Sequence, residues 1–384
     1  MKKKNISIYV HWPFCTSKCP YCDFNSHIKR EIDNNEWGLA LTTELNYLFR
    51  KYFKEKESHT LKSIFFGGGT PSLMDPAIVK NIISESKYLF NQNTNESVEI
   101  SLEANPGSIF KDKLKDFFDY GINRISIGVQ SFDKENLRFL GRDHSVYDAK
   151  KALELSRNIF KNLSFDLIYA LPEQSIESWE CSLNEAFQFE PDHLSLYQLT
   201  IESGTAFNRL YRSGKLFPIK DDLASDMYLV TDKITKDNHM PAYEISNHSK
   251  IYKNCDHNLA YWRGGDWIGI GPGATSRFSY GKKRLQVDIR KDPTGWINDV
   301  KNKKNGIKRI INETNKDYLI EKVIMGLRLV DGINFDEVSS VLDINVVNKL
   351  IDNEYITFDK NVLSATFNGR LRLNSIISEV IKIN

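Results

Sequence analysis

The sequence predicts an α/β protein: a partial (βα)6 barrel of the TIM type, open along one side, followed by a smaller α+β domain. Three observations carry this expectation. From residue 6 to about 200, short apolar or β-branched runs alternate with longer amphipathic stretches, the signature of right-handed βαβ units around a parallel sheet. Nearly every apolar run ends in a polar or glycine-rich tip, as the carboxyl ends of barrel strands do. Beyond about residue 300 the alternation stops. A doubly wound open sheet shares this periodicity and remains the competing architecture.

Taken in order, the strand candidates are Ile6–Val10, Ser63–Phe66, Val98–Leu102, Arg124–Val129, Ser164–Ile168 and Leu194–Leu199. Helices are expected over Asn35–Phe53, Pro76–Phe90, Lys111–Tyr120, Ser145–Ile159 and Ile176–Phe189. In the second of these Ile78, Ile82, Ile83 and Leu89 recur at helical spacing. The tips are the cysteine loop after the first strand, Gly67-Gly68-Gly69-Thr70-Pro71 after the second and Glu103-Ala104-Asn105-Pro106 after the third. Gln130-Ser131 follows the fourth, Asp166 lies within the fifth and Tyr197-Gln198 within the sixth. Arranged on successive strands, they form a ring around one site.

The remainder divides into a bridging segment, residues 251–300, and a C-terminal domain, 301–384, after a barrel spanning 1–250. Asn302–Lys308 is rich in Lys, Asn and Gly and reads as a linker or exposed loop. Glu313–Val330 places Leu319, Val323, Ile324 and Leu327 on one helical face. Shorter helices near Phe335–Leu342 and Val346–Asn353, a hairpin through Asp359-Lys360-Asn361 and a final helix give a winged-helix-like pattern. That shape often binds DNA, but its Lys and Arg residues form no stripe, so a lid or partner-docking role is the stronger expectation.

Composition narrows the function classes. The chain has 384 residues, 41% hydrophobic and 12% aromatic, enough for a large core. Its 52 basic against 50 acidic residues give no overall attraction to nucleic acid or anionic membrane. The basic start, Met1–Lys4, runs into an alternating stretch and then His11-Trp12-Pro13, which is not a signal core. No run reaches the length of a membrane span. A soluble, cytoplasmic protein with reduced cysteines is expected.

The chemistry concentrates in Tyr9–Phe24, YVHWPFCTSKCPYCDF, where Cys15, Cys19 and Cys22 follow the spacing C-x3-C-x2-C. Thiolates are the ligands of iron–sulfur clusters, and three on one compact loop can hold three corners of a cubane and leave one iron open. Two other readings stay open on spacing alone. Structural zinc wants four ligands, and only His11 and His27 lie near; unligated thiols are the other. A disulfide framework does not suit a long chain with few cysteines. Glycines 67–69 let a ligand lie against the backbone, whose N–H and C=O groups can hold an amino-acid moiety. Glu103 suits ribose hydroxyls, with Gln130, Arg142 and Asp166 completing a polar lining. Cys181, in an amphipathic stretch, reads as core.

The segments HWPFCTSKCPYCDF, FFGGGTPSL, LEANP, NRISIGVQSF, LGRDH, FDLIYALPEQ and YEISN together resemble, in order and over most of the chain, the coproporphyrinogen-dehydrogenase-like branch of the radical SAM superfamily. The resemblance implies a [4Fe–4S] cluster on Cys15, Cys19 and Cys22, with S-adenosylmethionine (SAM) bound to the open iron. An electron from the cluster then cleaves the sulfonium to methionine and a 5′-deoxyadenosyl radical. By matching motifs Tyr9, Gly68, Gly69, Thr70 and Glu103 resemble SAM contacts. Tyr21, Gln130, Arg142 and Asp166 resemble further ones, some serving a second SAM in the dehydrogenases. Thr275, in GPGATS, resembles a contact within a departing pattern.

Two departures divide the branch. The dehydrogenases carry a fourth cysteine two places after the third, where this chain has Phe24, and a long segment ahead of the cluster loop, which here begins at residue 15. Both departures are shared with HemW-type haem chaperones, which resemble the dehydrogenases but deliver haem to respiratory proteins. The segment Cys255-Asp256-His257-Asn258-Leu259-Ala260-Tyr261-Trp262 contains HNxxYW, similar to the haem-binding motif of those chaperones. A neutral imidazole is a good axial ligand, so His257 is the expected iron ligand, with Asn258, Tyr261 and Trp262 beside the porphyrin; Cys255 is a second thiolate or a buried free thiol. The expectation is a chaperone holding cluster, SAM and haem, the alternative an oxygen-independent coproporphyrinogen III dehydrogenase. The implied partners are haem, haem-acceptor apoproteins that can be membrane-associated, a low-potential electron donor and a second copy in a homodimer, with no nucleic acid.

Overall fold

The structure is a computed structural model and describes residues 3–29, 31–53, 59–91 and 97–382; Met1 and Lys2 of the basic start lie outside them. In chain order the barrel elements are β1 (Lys4–Trp12), α1 (Asn34–Tyr52), β2 (His59–Gly68), α2 (Pro76–Leu89) and β3 (Glu99–Ala104). Then come α3 (Lys111–Asp119), β4 (Arg124–Gln130), α4 (Val146–Ile159), β5 (Asn162–Tyr169), α5 (Ile176–Phe187) and β6 (His193–Gln198). The six expected strands and five expected helices are all present, within a few residues of their expected ends. The helix starts are set locally: Asp33, Asp75, Ser145 and Ser175 each cap a first turn through a side-chain oxygen.

The sheet continues past these six. β7 (Asn247–Ser249) pairs antiparallel with β6. After α6 (Asp256–Trp262) come β8 (Asp266–Ile270), β9 (Thr275–Tyr280), β10 (Lys283–Ile289), α7 (Pro293–Lys303) and β11 (Ile307–Glu313). The eleven-stranded order is β11-β10-β9-β8-β1-β2-β3-β4-β5-β6-β7. β8 lies parallel to β1, Ile6 facing Asp266 and Val10 facing Ile270, so the first strand is internal to the sheet. Residues expected to form a bridge therefore supply three barrel-sheet strands. Likewise 302–308 is not a free linker: α7 runs to Lys303, Lys304 ends it at φ +65°, and β11 begins at Ile307.

Strand alternation sorts the side chains. Ile6, Ile8, Val10 and Trp12 of β1 are buried in the main core with Leu41, Leu45, Leu48 and Trp37 of α1. Ser7, Tyr9 and His11 face the other way, into the lumen, as do Ser63 and Phe65, Ser101 and Glu103, Ser126, and Ser164 and Asp166. Trp37 stacks on Trp296 of α7 at 5.1 Å and meets Phe14 edge-on at 4.8 Å. Buried Glu44 of α1 fastens the two ends of the sheet's far side: its carboxylate accepts from the N–H of Gly271 (2.8 Å), the N–H of Gly306 (2.7 Å) and Trp296 Nε1 (3.0 Å).

A second core of Val323, Leu327, Val338, Val347, Leu363, Ile376 and Val380 builds the C-terminal part. It contains α8 (Asn315–Gly326), further short helices and a three-stranded sheet with the hairpin Ile356–Asp359/Val362–Ala365. It is tied to the barrel sheet by charge. Arg284 binds Asp266 (2.8 Å) and Glu313 (3.3 Å) and covers the Tyr318 ring at 4.5 Å, while Arg277 pairs with Glu313 and with Glu321 of α8.

Candidate functional site

At the carboxyl ends of β1–β6 a cavity of about 350 Å3 is lined by Cys15, Cys19 and Cys22 together with Tyr21, Phe24, Gly68, Gly69, Thr70, Glu103, Gln130, Arg142 and Asp166. Eleven residues singled out from the sequence for cluster or SAM contact, and Phe24, are thus brought to one place. All three cysteines are half-buried and unpaired, and burial raises the thiols of Cys15 and Cys22 above the ordinary range. Among the described residues no three His, Cys, Asp or Glu side chains converge on a single ion.

Local structure explains how each group gets there. Phe14–Cys15 forms a two-residue parallel pairing with His27–Ile28, which returns the loop on itself, and Cys22 N–H closes a turn on Cys19 O at 3.2 Å. Gly68 is at φ +111°, where a Cβ would stand 2.6 Å from the His11 ring, so only glycine fits. The glycine run differs from expectation in one respect. Its donors are engaged: Gly68 N–H by Glu103 Oε2 (3.1 Å), Gly69 N–H by Trp12 O (2.7 Å) and Thr70 N–H by Phe14 O (2.9 Å). Those three N–H groups are not available to a ligand's carboxylate in this conformation, which shifts anion binding towards side chains.

Those side chains retain unused capacity. Gln130 ends β4 at φ +69°, just past a shift in the β4–β5 register, and its buried Oε1 has no partner among the described residues. Arg142 donates to Gly128 O (2.9 Å), to Cys19 Sγ (3.4 Å) and weakly to Tyr21 OH (3.5 Å), with Nε unpartnered. Desolvation, then the neighbouring Asp166, pushes the Glu103 carboxyl up to about 8. Asp166 is pushed up to about 6 by desolvation, opposed by hydrogen bonds from Ser195 and Ser126. Two buried carboxyls close enough to raise one another would each be drawn back to the ionised form by a positive charge placed between them.

Two expected contacts lie elsewhere. Tyr9 sits deeper in the lumen, its OH 3.1 Å from His11 Nδ1 and its ring against Phe65; alternation turns it inward, but its depth along β1 keeps it from lining the cavity. Thr275 starts β9, beyond β8, and bonds Asp288 at 3.3 Å. Conversely, Ser126, Ile168, Leu199, Thr200 and Glu202 line the cavity without having been singled out. Ser126 was findable, being in phase with Gly128 and Gln130 along β4.

The HNxxYW residues occupy the opposite end. Helix α6 closes the barrel floor, its first turn capped by Glu99 at the start of β3, which accepts from the N–H groups of Asp256 and His257 at 3.1 Å each. His257 is 1% exposed. Its Nδ1 lies 2.9 Å from Ser63 Oγ and its Nε2 2.8 Å from Tyr261 OH. Because Ser63 donates to Ser7, Nδ1 carries the proton and Nε2 accepts from Tyr261. Burial lowers the imidazole to about 3, and the neutral ring offers iron no lone pair in this conformation. Trp262 lies under the Arg328 guanidinium at 5.0 Å, Asn258 is half-buried, and Cys255 is buried beside Glu99 Oε1 at 3.4 Å. Cys181 is exposed on α5 rather than core.

Comparison with known proteins identifies the family. Residues 9–186 match the radical SAM superfamily. A zebrafish (Danio rerio) protein described as radical S-adenosyl methionine domain-containing protein 1, mitochondrial, is 34% identical, covering 98% of this chain and 86% of its own. The heme chaperone HemW of Escherichia coli K12 is 32% identical over 98% of each chain. Among solved structures, coproporphyrinogen III oxidase (HemN) from E. coli has the same fold, with a TM-score of 0.79 and 22% identity over 98% of this chain and 90% of that one. No helix among the described residues is long and apolar enough to cross a membrane. With a third of its residues shared end to end with such relatives, and three cysteines on one loop at a barrel mouth, this chain belongs to the radical SAM superfamily.

Proposed function

We propose that this protein is a haem chaperone on a radical SAM scaffold, acting in the cytoplasm. The observation that carries the reading is the end-to-end match to proteins named heme chaperone HemW, supported by Phe24 at the position of the dehydrogenases' fourth cysteine.

The mouth residues fit a cluster and SAM. The three thiols line one cavity, and thiolates are the ligands that iron–sulfur clusters take. Cys15, Cys19 and Cys22 would hold the cluster; Glu103, Gln130, Arg142 and Asp166, which line the same cavity, would hold SAM. Bound there, the two supply one-electron cleavage of a sulfonium. The protein's own part is electrostatic: Glu103 and Asp166 give up protons to offset the positive charge, and Arg142 with Gln130 orients the amino-acid end. Haem ligation by His257 requires the Tyr261 bond to Nε2 to open and the buried ring to become accessible, while the Nδ1 bond to Ser63 can remain.

Anaerobic haem titration of reconstituted wild type, His257→Ala and the milder His257→Gln, followed in the Soret band, tests the cargo and its ligand. Wild type binds haem, and both variants lose it. Retention in both moves the iron ligand away from α6. A coproporphyrinogen III assay with SAM and reductant tests the class: protoporphyrinogen at catalytic turnover overturns the chaperone reading.

A further inference from the structure

Three consecutive residues, Gly141, Arg142 and Asp143, grip the cysteine loop in three different ways. Gly141 adopts φ +65° and lies so close to the loop that a Cβ would stand 2.6 Å from Pro20 Cδ. Asp143 accepts hydrogen bonds from Thr16 Oγ1 (2.5 Å) and Ser17 Oγ (3.2 Å) on one carboxylate oxygen and from Asn105 Nδ2 (3.1 Å) on the other. Between them Arg142 sends one nitrogen to Cys19 Sγ at 3.4 Å. The arrangement is directional: carboxylate on the hydroxyls of the loop's first turn, guanidinium on the sulfur.

The arginine is held there independently of the loop. Its other terminal nitrogen donates to the Gly128 carbonyl on β4 at 2.9 Å, so the guanidinium is anchored to the barrel and presented to the sulfur. A fixed cation donating N–H to a ligating thiolate stabilises whichever state of the attached metal carries more negative charge. Hydrogen bonds to sulfur and local net charge are the protein's means of setting a cluster's potential. Reduction of a [4Fe–4S] cluster adds one electron and makes it more negative, so such a donor eases reduction.

We propose that Arg142 is a positioning residue that acts through the Cys19 sulfur to raise the reduction potential of the cluster, over and above any contact with SAM. This rests on the cluster reading above. The test is an EPR-monitored redox titration against mediators in the absence of SAM, on wild type, Arg142→Lys and Arg142→Met, with iron and sulfide measured on each sample. Arg142→Met is expected to keep its cluster and titrate at a more negative midpoint. Arg142→Lys keeps the charge without the fork and falls between. Asp143→Asn, which removes a negative charge beside the loop, is expected to lose cluster faster on dilution and to shift the midpoint, if at all, in the less negative direction, opposite to Arg142→Met. A full cluster with an unchanged midpoint in Arg142→Met overturns the proposal, and so does failure of both Arg142 variants to hold a cluster, which makes the residue structural. Wild type that takes up neither iron nor sulfide overturns the cluster reading instead.

Discussion

The two ends of this barrel are built from the same kinds of side chain and treat them oppositely. At the floor, His257 has both nitrogens bonded, Ser63 is shared between Ser7 and the imidazole, and Glu99 caps α6. At the mouth, Gln130 Oε1 and Arg142 Nε have no partner among the described residues, and two carboxyls hold their protons well above the usual range. Buried polar groups are nearly always satisfied in folded proteins, and although Trp262 Nε1 at the floor is also without a partner among the described residues, only at the mouth does such capacity line a cavity. By that criterion the motif histidine is, as folded, part of the scaffold, and the cysteine-lined mouth is the candidate site.

Substitutions at each end can break this contrast. The largest effect is expected from Cys19→Ser: iron and sulfide uptake should fall from roughly four of each per chain to near none, with the circular-dichroism melt nearly unmoved. A large drop in melting temperature would mean the mouth is structural as well. Next is His257→Ala at the floor. It removes a buried ring and strands the Tyr261 hydroxyl, so unfolding should cost about 2–4 kcal/mol less by denaturant titration. Gln130→Ala at the mouth should stay within about 0.5 kcal/mol. Equal losses would erase the distinction.

A pH series sharpens the same contrast. A cationic ligand favours ionised Glu103 and Asp166, whose carboxyls are raised to about 8 and about 6 in the free protein. Binding therefore releases protons, and affinity for SAM should tighten as pH rises from 6 towards 8, by up to about tenfold per unit for each proton released. Calorimetry in buffers of different ionisation enthalpy measures that release; Glu103→Gln should flatten the profile. A smaller loss than at His257 is expected from Gly141→Ala, where a left-handed backbone and contact with Pro20 make a methyl cost about 1–2 kcal/mol. Its readout is a shorter lifetime of cluster absorbance together with a slightly lower melt.

How much of this was legible beforehand follows from how local each signal is. The cysteine spacing, the glycine run and the polar tips of β3–β5 are short-range patterns, and the structure gathers them at one mouth. Depth was not legible: alternation turns Tyr9 inward but does not say how far below the cavity it lies. Partnership was not legible either. A histidine beside two aromatics reads as a ligand until Ser63, 194 positions away, is seen on its Nδ1. The five residues Asp266–Ile270 gave little warning because their role depends on a parallel partner near the other terminus. Composition misled at 302–308, where lysines and a glycine mark only the tight turn between α7 and β11.

The place of β8 against β1 has a practical consequence for anyone wishing to dissect this molecule. A fragment stopped after the six-strand repeat, near residue 250, strips one neighbour from the opening strand and bares a long row of main-chain donors and acceptors beside Ile6, Ile8 and Val10. Such a piece should associate with itself rather than stay monomeric. Useful truncations would begin only beyond β11, after the returning strands have sealed that margin.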